Sequence, residues 1–382
     1  MFGLPSLRLG KIFGIPLEID ASWFFIFFLV ASTLTTSYFP SALPDREPVT
    51  YVALGFLTAL VFFASLVIHE LAHSLVARAG GLRITRVTLF LFGGVSEMEQ
   101  EPRGPGHEFV VAVAGPLTSV LLAGAFWGTH LLLRAGGVID TVWVPLEYLA
   151  LINLWLAFFN LLPGFPLDGG RVLRAIIWAV TKDLLKATKW ASRMGQTFGA
   201  MFIAIAVLGV LQGTFDFVWF AVMGWFLSAL SASAYQQQLT RAALAEVPLK
   251  QIMSSPAVLA PADITLEEMA HSYFLGGRHT RYPVVNEGRV IGLIDIDRAN
   301  EVPREEWPVV TVAEVASRDL AKAVATPDTS VDAVLPALES TGPGAILVVD
   351  DGRLDGIVTR SDVIRLVREI GSRRHDGSGR PS

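Results

Sequence analysis

The chain of 382 residues has no cysteine, which excludes disulfides, thiolate zinc sites and thiol nucleophiles and leaves the redox compartment open. Charge is also scarce. Asp, Glu, Lys and Arg make up 17% of the chain, where a soluble domain carries roughly 25%. The scarcity is local: positions 1–240 hold 28 of these residues and positions 241–382 hold 37, about 12% against 26%. The first part reads as a membrane protein and the second as an ordinary soluble one. A net charge of −5 offers no basic face, which argues against nucleic acid as a partner. Any nucleophile or metal site must come from His, Asp, Glu, Ser or water.

What the first part has instead is six apolar runs, at 21–39, 51–79, 108–134, 146–162, 195–212 and 215–234. Each is close to the ~20 residues that cross the hydrocarbon of a bilayer. The first, Ala21 to Phe39, follows Arg8 and Lys11 as a signal sequence would. Its length and the five runs after it make it a retained span. The fourth is interrupted by Pro163, Gly164 and Pro166, and broken backbone at membrane depth needs protein or a water-filled cavity to satisfy its amides. Arg8 and Lys11 precede span one, Arg78, Arg83 and Arg86 follow span two, and Lys182, Lys186, Lys189 and Arg193 separate spans four and five. The loop between spans five and six has no Lys or Arg. Positive charge on the cytoplasmic side then puts both termini in the cytoplasm of a multi-pass cell-membrane protein.

Between spans two and three, residues 83–92 are rich in β-branched and aromatic types and meet Gly93-Gly94, which predicts a strand or hairpin. Residues 103–106 form a turn. After Gln238 a duplication appears: VVNEGRVIGLIDIDR at 284–298 and VVDDGRLDGIVTRSD at 348–362, 64 residues apart. The offset fits two small α/β modules, 247–308 and 309–370, with helical stretches near Leu266–Phe274 and Val331–Glu339. The tail 371–382 is polar and Gly-rich and is expected to be disordered.

Within residues 51–77 the acidic and basic side chains all lie in His69-Glu70-Leu71-Ala72-His73. The i, i+4 spacing puts both imidazoles on one helix face, where they can chelate one zinc ion, with Glu70 beside them as general base. Ionisable residues in hydrocarbon are costly and call for a functional or pairing reason. A catalytic zinc takes three protein ligands, and the same helix supplies no third. The best candidate is Asp168, in the broken stretch NLLPGFPLDGGR at 160–171. Its competing role is to cap the helix that follows.

HEXXH in a membrane span, followed by NLLPGFPLDGGR, resembles the site-2 protease family of intramembrane zinc metalloproteases. The paired modules resemble a tandem of CBS domains. Together they match the branch of site-2 proteases with C-terminal CBS domains, over nearly the whole chain. The resemblance implies a polytopic all-α membrane bundle with a small membrane-associated β-hairpin or sheet (1–240), followed by a soluble α/β CBS pair. It implies His69, His73 and Asp168 as ligands of one Zn2+ and Glu70 as the catalytic base. It also implies a polar role for Asn160, either donating to the oxyanion or serving as a packing amide. Phe92, Gly93, Gly94 and Val95 resemble the family's membrane-embedded sheet. They could take an extended substrate by strand addition or simply form a turn.

Glu97, Glu99 and Glu101 read as a solvated surface, and His107 and His130 as interfacial. The CBS ligand pattern, Thr and Asp three apart after a strand, is present at Thr359 and Asp362. It is lost in the first repeat, where Asp295 and Arg298 stand in its place. An adenine nucleotide would therefore use Thr359 and Asp362, unless Asp362 only caps the last helix and the CBS pair only forms a homodimer. The expected activity is cleavage of a membrane-tethered protein within or near its transmembrane segment, modulated by the CBS pair and releasing a regulator. One rival is a CBS-gated ion transporter or channel that uses the same His, Glu and Asp. The other is a silent scaffold that senses nucleotide.

Overall fold

A chain in hydrocarbon must satisfy its own backbone, so the apolar runs fold as helices. The computed structural model describes residues 6–98, 102–275, 280–318, 320, 323–339, 344–351 and 353–377. The chain divides into two units, Met1–Gln238 and Leu239–Ser382.

Among the described residues of the first unit, six helices are long and apolar enough to cross a membrane. They are α1 (Ala21–Ala42, with a π turn at Leu34–Tyr38), α2 (Pro48–Ala79), α3 (Pro105–Ala135), α4 (Asp140–Asn160), α6 (Leu184–Leu211) and α7 (Val218–Ala245). Between α4 and α6 lies α5 (Asp168–Thr181), a shorter helix with one apolar face. The predicted break in span four is thus the end of one helix and the start of another. Starts are marked locally. The Asp20 carboxylate accepts from the Ser22 amide at 2.9 Å to cap α1, and Pro occupies the first turn of α2 and of α3.

Four strands form one sheet in the order β1 (Ser6–Ile12), β2 (Ile15–Asp20), β3 (Ile84–Phe90), β4 (Gly93–Met98). The β3–β4 hairpin is where the sequence predicts it. The N-terminal hairpin β1–β2, turning through Phe13 and Gly14 at positive φ, was not anticipated. Side chains alternate across a strand, and the registers pair Leu17 with Val87, Ile19 with Leu89, Val87 with Ser96 and Leu89 with Gly94. That row packs on α2, through Leu71 in one cluster and Phe63 and Leu66 in another. The opposite row carries charge: Arg8 and Arg86 both pair with Glu18, and Arg86 also with Glu97. A slip of one residue would turn these charges onto the helix, so the register is strongly specified.

The second unit holds two three-stranded sheets. One contains β5 (Ala260–Pro261), β6 (Arg281–Asn286) and β7 (Arg289–Asp295), with short helices α8 (Leu266–Met269), α9 (Ile296–Ala299) and α10 (Val312–Val315). The other contains β8 (Val324–Ala325), β9 (Ala345–Asp350) and β10 (Arg353–Thr359), with α11 (Val331–Glu339) and α12 (Arg360–Gly377). The duplicated segments are the hairpins β6–β7 and β9–β10, paired antiparallel in both repeats. Leu244 and Leu249 pack into the second repeat's core, beside Val331, Val348 and Val358. Helix α12 continues to Gly377, past the expected start of the tail at Gly371. Residues 378–382 lie outside the described residues.

Candidate metal centre

Helix α2 turns one face toward α3 and α5 and there presents His69 and His73. Both imidazoles are buried, with 1% and 3% of their surface exposed. The Asp168 carboxylate comes from the first turn of α5, across 99 positions of sequence. Its Oδ2 lies 3.2 Å from Nε2 of His69 and 3.1 Å from Nε2 of His73, and the two Nε2 atoms are 3.2 Å apart. Leu167 stands at the N-cap of α5, which has no side-chain cap bond. The Asp168 carboxylate is therefore turned to the imidazoles and not to its own helix.

This donor set fits zinc. A tetrahedral ion with bonds of ~2.0–2.1 Å separates its ligands by about 3.3 Å. The distal nitrogens are tied as metal-binding histidines usually are. His73 Nδ1 lies 2.7 Å from the Val111 carbonyl oxygen and His69 Nδ1 lies 2.8 Å from Ser119 Oγ. A carbonyl only accepts, so the His73 proton sits on Nδ1 and Nε2 is left as the ligand atom. Space is reserved too, because a Cβ placed on Gly115 of α3 would fall against both Nε2 atoms. A glycine keeps that position open.

Glu70 projects toward the sheet. Its Oε2 accepts from Ser96 Oγ at 3.1 Å, and Gly94 lies so close to its side chain that a Cβ there would collide with it. Gly93 has φ +137° and Val95 pairs with Thr88. The Phe92 ring stacks on Phe226 of α7, with centroids 3.8 Å apart. The Asn160 side-chain amide donates to the Leu156 carbonyl at 3.0 Å, a bond within its own helix.

The remaining expectations divide. Glu97 is half-buried in its pair with Arg86 at 2.9 Å; Glu99 and Glu101 lie outside the described residues. His130 is buried beside Trp127 and Trp143. His107 packs against Gly80 with its Nε2 unpartnered among the described residues. Thr359 and Asp362 do meet: Asp362 Oδ2 accepts from the Thr359 amide at 2.9 Å and from its hydroxyl at 2.7 Å. Both bonds run from Thr359, just before α12, to the carboxylate in its first turn, which is one half of a capping box. A cavity of about 440 Å³ opens beside it, lined by Gln251, Met253, Asp362, Arg365 and Glu369 among others.

Sequence reasoning missed Val111, Gly115, Ser119 and Ser96, as well as the buried pair of Glu108 on α3 and Arg174 on α5 (Nε to Oε1 2.6 Å). Only the small polar Ser119 one turn after Gly115, in an apolar span, hinted at a close helix contact.

A family model described as Peptidase family M50 matches residues 57–142 and 134–206, and a CBS domain model matches 249–300 and 312–369. The chain is 34% identical to sll0528 of Synechocystis over 95% of this chain and 96% of that one. It is likewise 34% identical to Rip3 of Mycobacterium tuberculosis, over 95% and 93%. The protein named Zinc metalloprotease MJ0392, from Methanocaldococcus jannaschii, is 30% identical over 94% and 95%. Among solved structures, the site-2 protease of the same archaeon aligns with 28% identity and a TM-score of 0.43, covering 60% of this chain and 95% of that one.

Proposed function

As a member of peptidase family M50, the site-2 proteases, with a tandem of CBS domains after its membrane unit, this chain is, we propose, an intramembrane zinc endopeptidase that cleaves a membrane-tethered protein. The observation that carries the reading is the convergence of His69, His73 and Asp168, with every donor atom within 4.8 Å of the others, next to Glu70. These three residues hold the metal. When bound, zinc supplies a Lewis acid for the scissile carbonyl and a nucleophilic water near neutral pH.

The chain's own groups do the rest. Glu70 takes the proton of the attacking water and returns it to the departing amine nitrogen. The imidazoles are held by Ser119 and the Val111 carbonyl and stay aimed at one point. Strand β4 is last in the sheet order, so an extended substrate can add to its outer edge along Gly93, Gly94 and Val95. A substrate strand presents unshielded amides, whereas a helical peptide bond is engaged in its own hydrogen bonds. Both termini lie on the cytoplasmic side, and cleavage occurs toward that face. The CBS pair tunes the activity through an adenine nucleotide near Asp362 and carries a homodimer contact.

Proteoliposomes holding the full chain and a peptide with one apolar segment test this reading. The zinc-loaded wild type releases a soluble fragment and Glu70→Gln does not. Zinc flux without cleavage would instead identify an ion transporter.

A further inference from the structure

The strand that offers an edge to substrate also grips Glu70. Gly94 and Ser96 sit two apart on β4, so both face α2. Gly94 presses on the Glu70 side chain. The Ser96 hydroxyl lies 3.1 Å from Glu70 Oε2 and accepts in turn from Ser74 Oγ at 3.1 Å. Ser74 is fully buried one turn below Glu70 and also reaches the Glu70 carbonyl oxygen at 3.0 Å. A hydroxyl has one proton. The Ser74 proton is divided between the Glu70 carbonyl oxygen and Ser96 Oγ, and the Ser96 proton has Glu70 Oε2 at 3.1 Å as its nearest acceptor, ahead of the Glu70 carbonyl oxygen at 3.3 Å. Among the described residues Ser96 is the one side chain that donates to the Glu70 carboxylate.

We propose that Ser96 is a positioning residue for the peptidase reaction: its hydroxyl, backed by Ser74, holds the Glu70 carboxylate in one rotamer against β4. The proposal rests on Glu70 being the base. A glutamate has three side-chain torsions, and an unanchored one loses the alignment that proton transfer needs. A hydroxyl on the substrate-pairing strand couples the two functions, because β4 cannot move without carrying the base with it. Serine suits the position sterically. It faces Val87 across the register and leaves Gly94 room to contact Glu70.

The test uses the full chain in proteoliposomes with the apolar-segment peptide and compares wild type, Ser96→Ala, Ser96→Thr, Glu70→Gln and the double variant Glu70→Gln with Ser96→Ala. Ser96→Ala lowers kcat about tenfold, the scale of one hydrogen bond to a charged group, while KM and zinc content stay at wild-type values. Ser96→Thr keeps the hydroxyl in a residue suited to a strand and recovers most of the rate. The double variant is no slower than Glu70→Gln alone. A second readout needs no turnover: in metal-free protein, the infrared carboxylate band identified by subtracting Glu70→Gln shifts in Ser96→Ala.

A wild-type kcat for Ser96→Ala with an inactive Glu70→Gln overturns the proposal and leaves the base assignment standing. So does a change confined to KM, a loss of zinc, or an unmoved carboxylate band. An active Glu70→Gln overturns both.

Discussion

The Val111 carbonyl oxygen of α3 lies 2.7 Å from Nδ1 of His73 on α2, so a backbone group of one span sets the tautomer and orientation of a ring on another. Ser119, two turns further along α3, lies 2.8 Å from Nδ1 of His69 and holds that ring's orientation, although a hydroxyl, which both donates and accepts, does not fix its tautomer. Outer contacts of this kind commonly account for 10–100-fold in metal affinity. Ser119→Ala is therefore expected to weaken zinc binding by about that factor while leaving the helices intact. Competition with a chromophoric chelator measures it.

Gly115 gives a sharper test of the same contact. A methyl group there would occupy the space between the two imidazole Nε2 atoms. Gly115→Ala is expected to purify as a folded membrane protein with far less than one zinc per chain. Elemental analysis alongside circular dichroism separates that outcome from misfolding.

The Glu108 carboxylate is completely buried, and its partner is Arg174, whose side chain is 12% exposed. Removing one member of a buried pair leaves an uncompensated charge and costs about 3–5 kcal/mol. Arg174→Met should lower the unfolding free energy in detergent by that amount. Adding Glu108→Gln should recover much of the loss, because the buried carboxylate left without Arg174 is then neutral. The double-variant cycle checks it, and equal effects for the single and double variants would refute the pairing.

In the second unit, Asp362 caps α12 through Thr359 and borders the 440 Å³ cavity. Asp362→Ala is expected to cost the cap ~1 kcal/mol, seen as faster amide exchange in the first turn of α12. It should also weaken binding of AMP to the intact protein, read by titration calorimetry. Thr359→Val should lose the 2.7 Å hydroxyl bond and keep the 2.9 Å amide bond, with a smaller effect on exchange.

The parts legible in the sequence were those governed by short-range rules. A bilayer imposes runs of ~20 apolar residues, so all six long helices could be read, although α6 begins at Leu184 and not near 195. The i, i+4 spacing placed His69 and His73 on one face before any tertiary contact was known. Asp168 was found through the unfilled shell of the metal, a chemical argument rather than a local one. The hairpin at residues 6–20 was not legible, because its charges belong to a ladder completed only by Arg86 and Glu97. Val111, Gly115, Ser119 and Ser96 act through contacts between distant segments, and only the spacing of Gly115 and Ser119 within an apolar span hints at one of them. His130 has Trp127 stacked on it from one turn earlier in α3, while its polar contact, the Trp143 carbonyl, comes from α4 and was not legible locally.

The most direct test of the central claim compares wild type and Glu70→Gln at equal zinc content, following cleavage of the membrane-tethered peptide in proteoliposomes. Separating metal retention from turnover isolates the proton transfer assigned to Glu70. One zinc is expected in both proteins, with a rate about 10²–10⁴-fold lower in the variant. Equal rates at equal zinc would contradict that assignment.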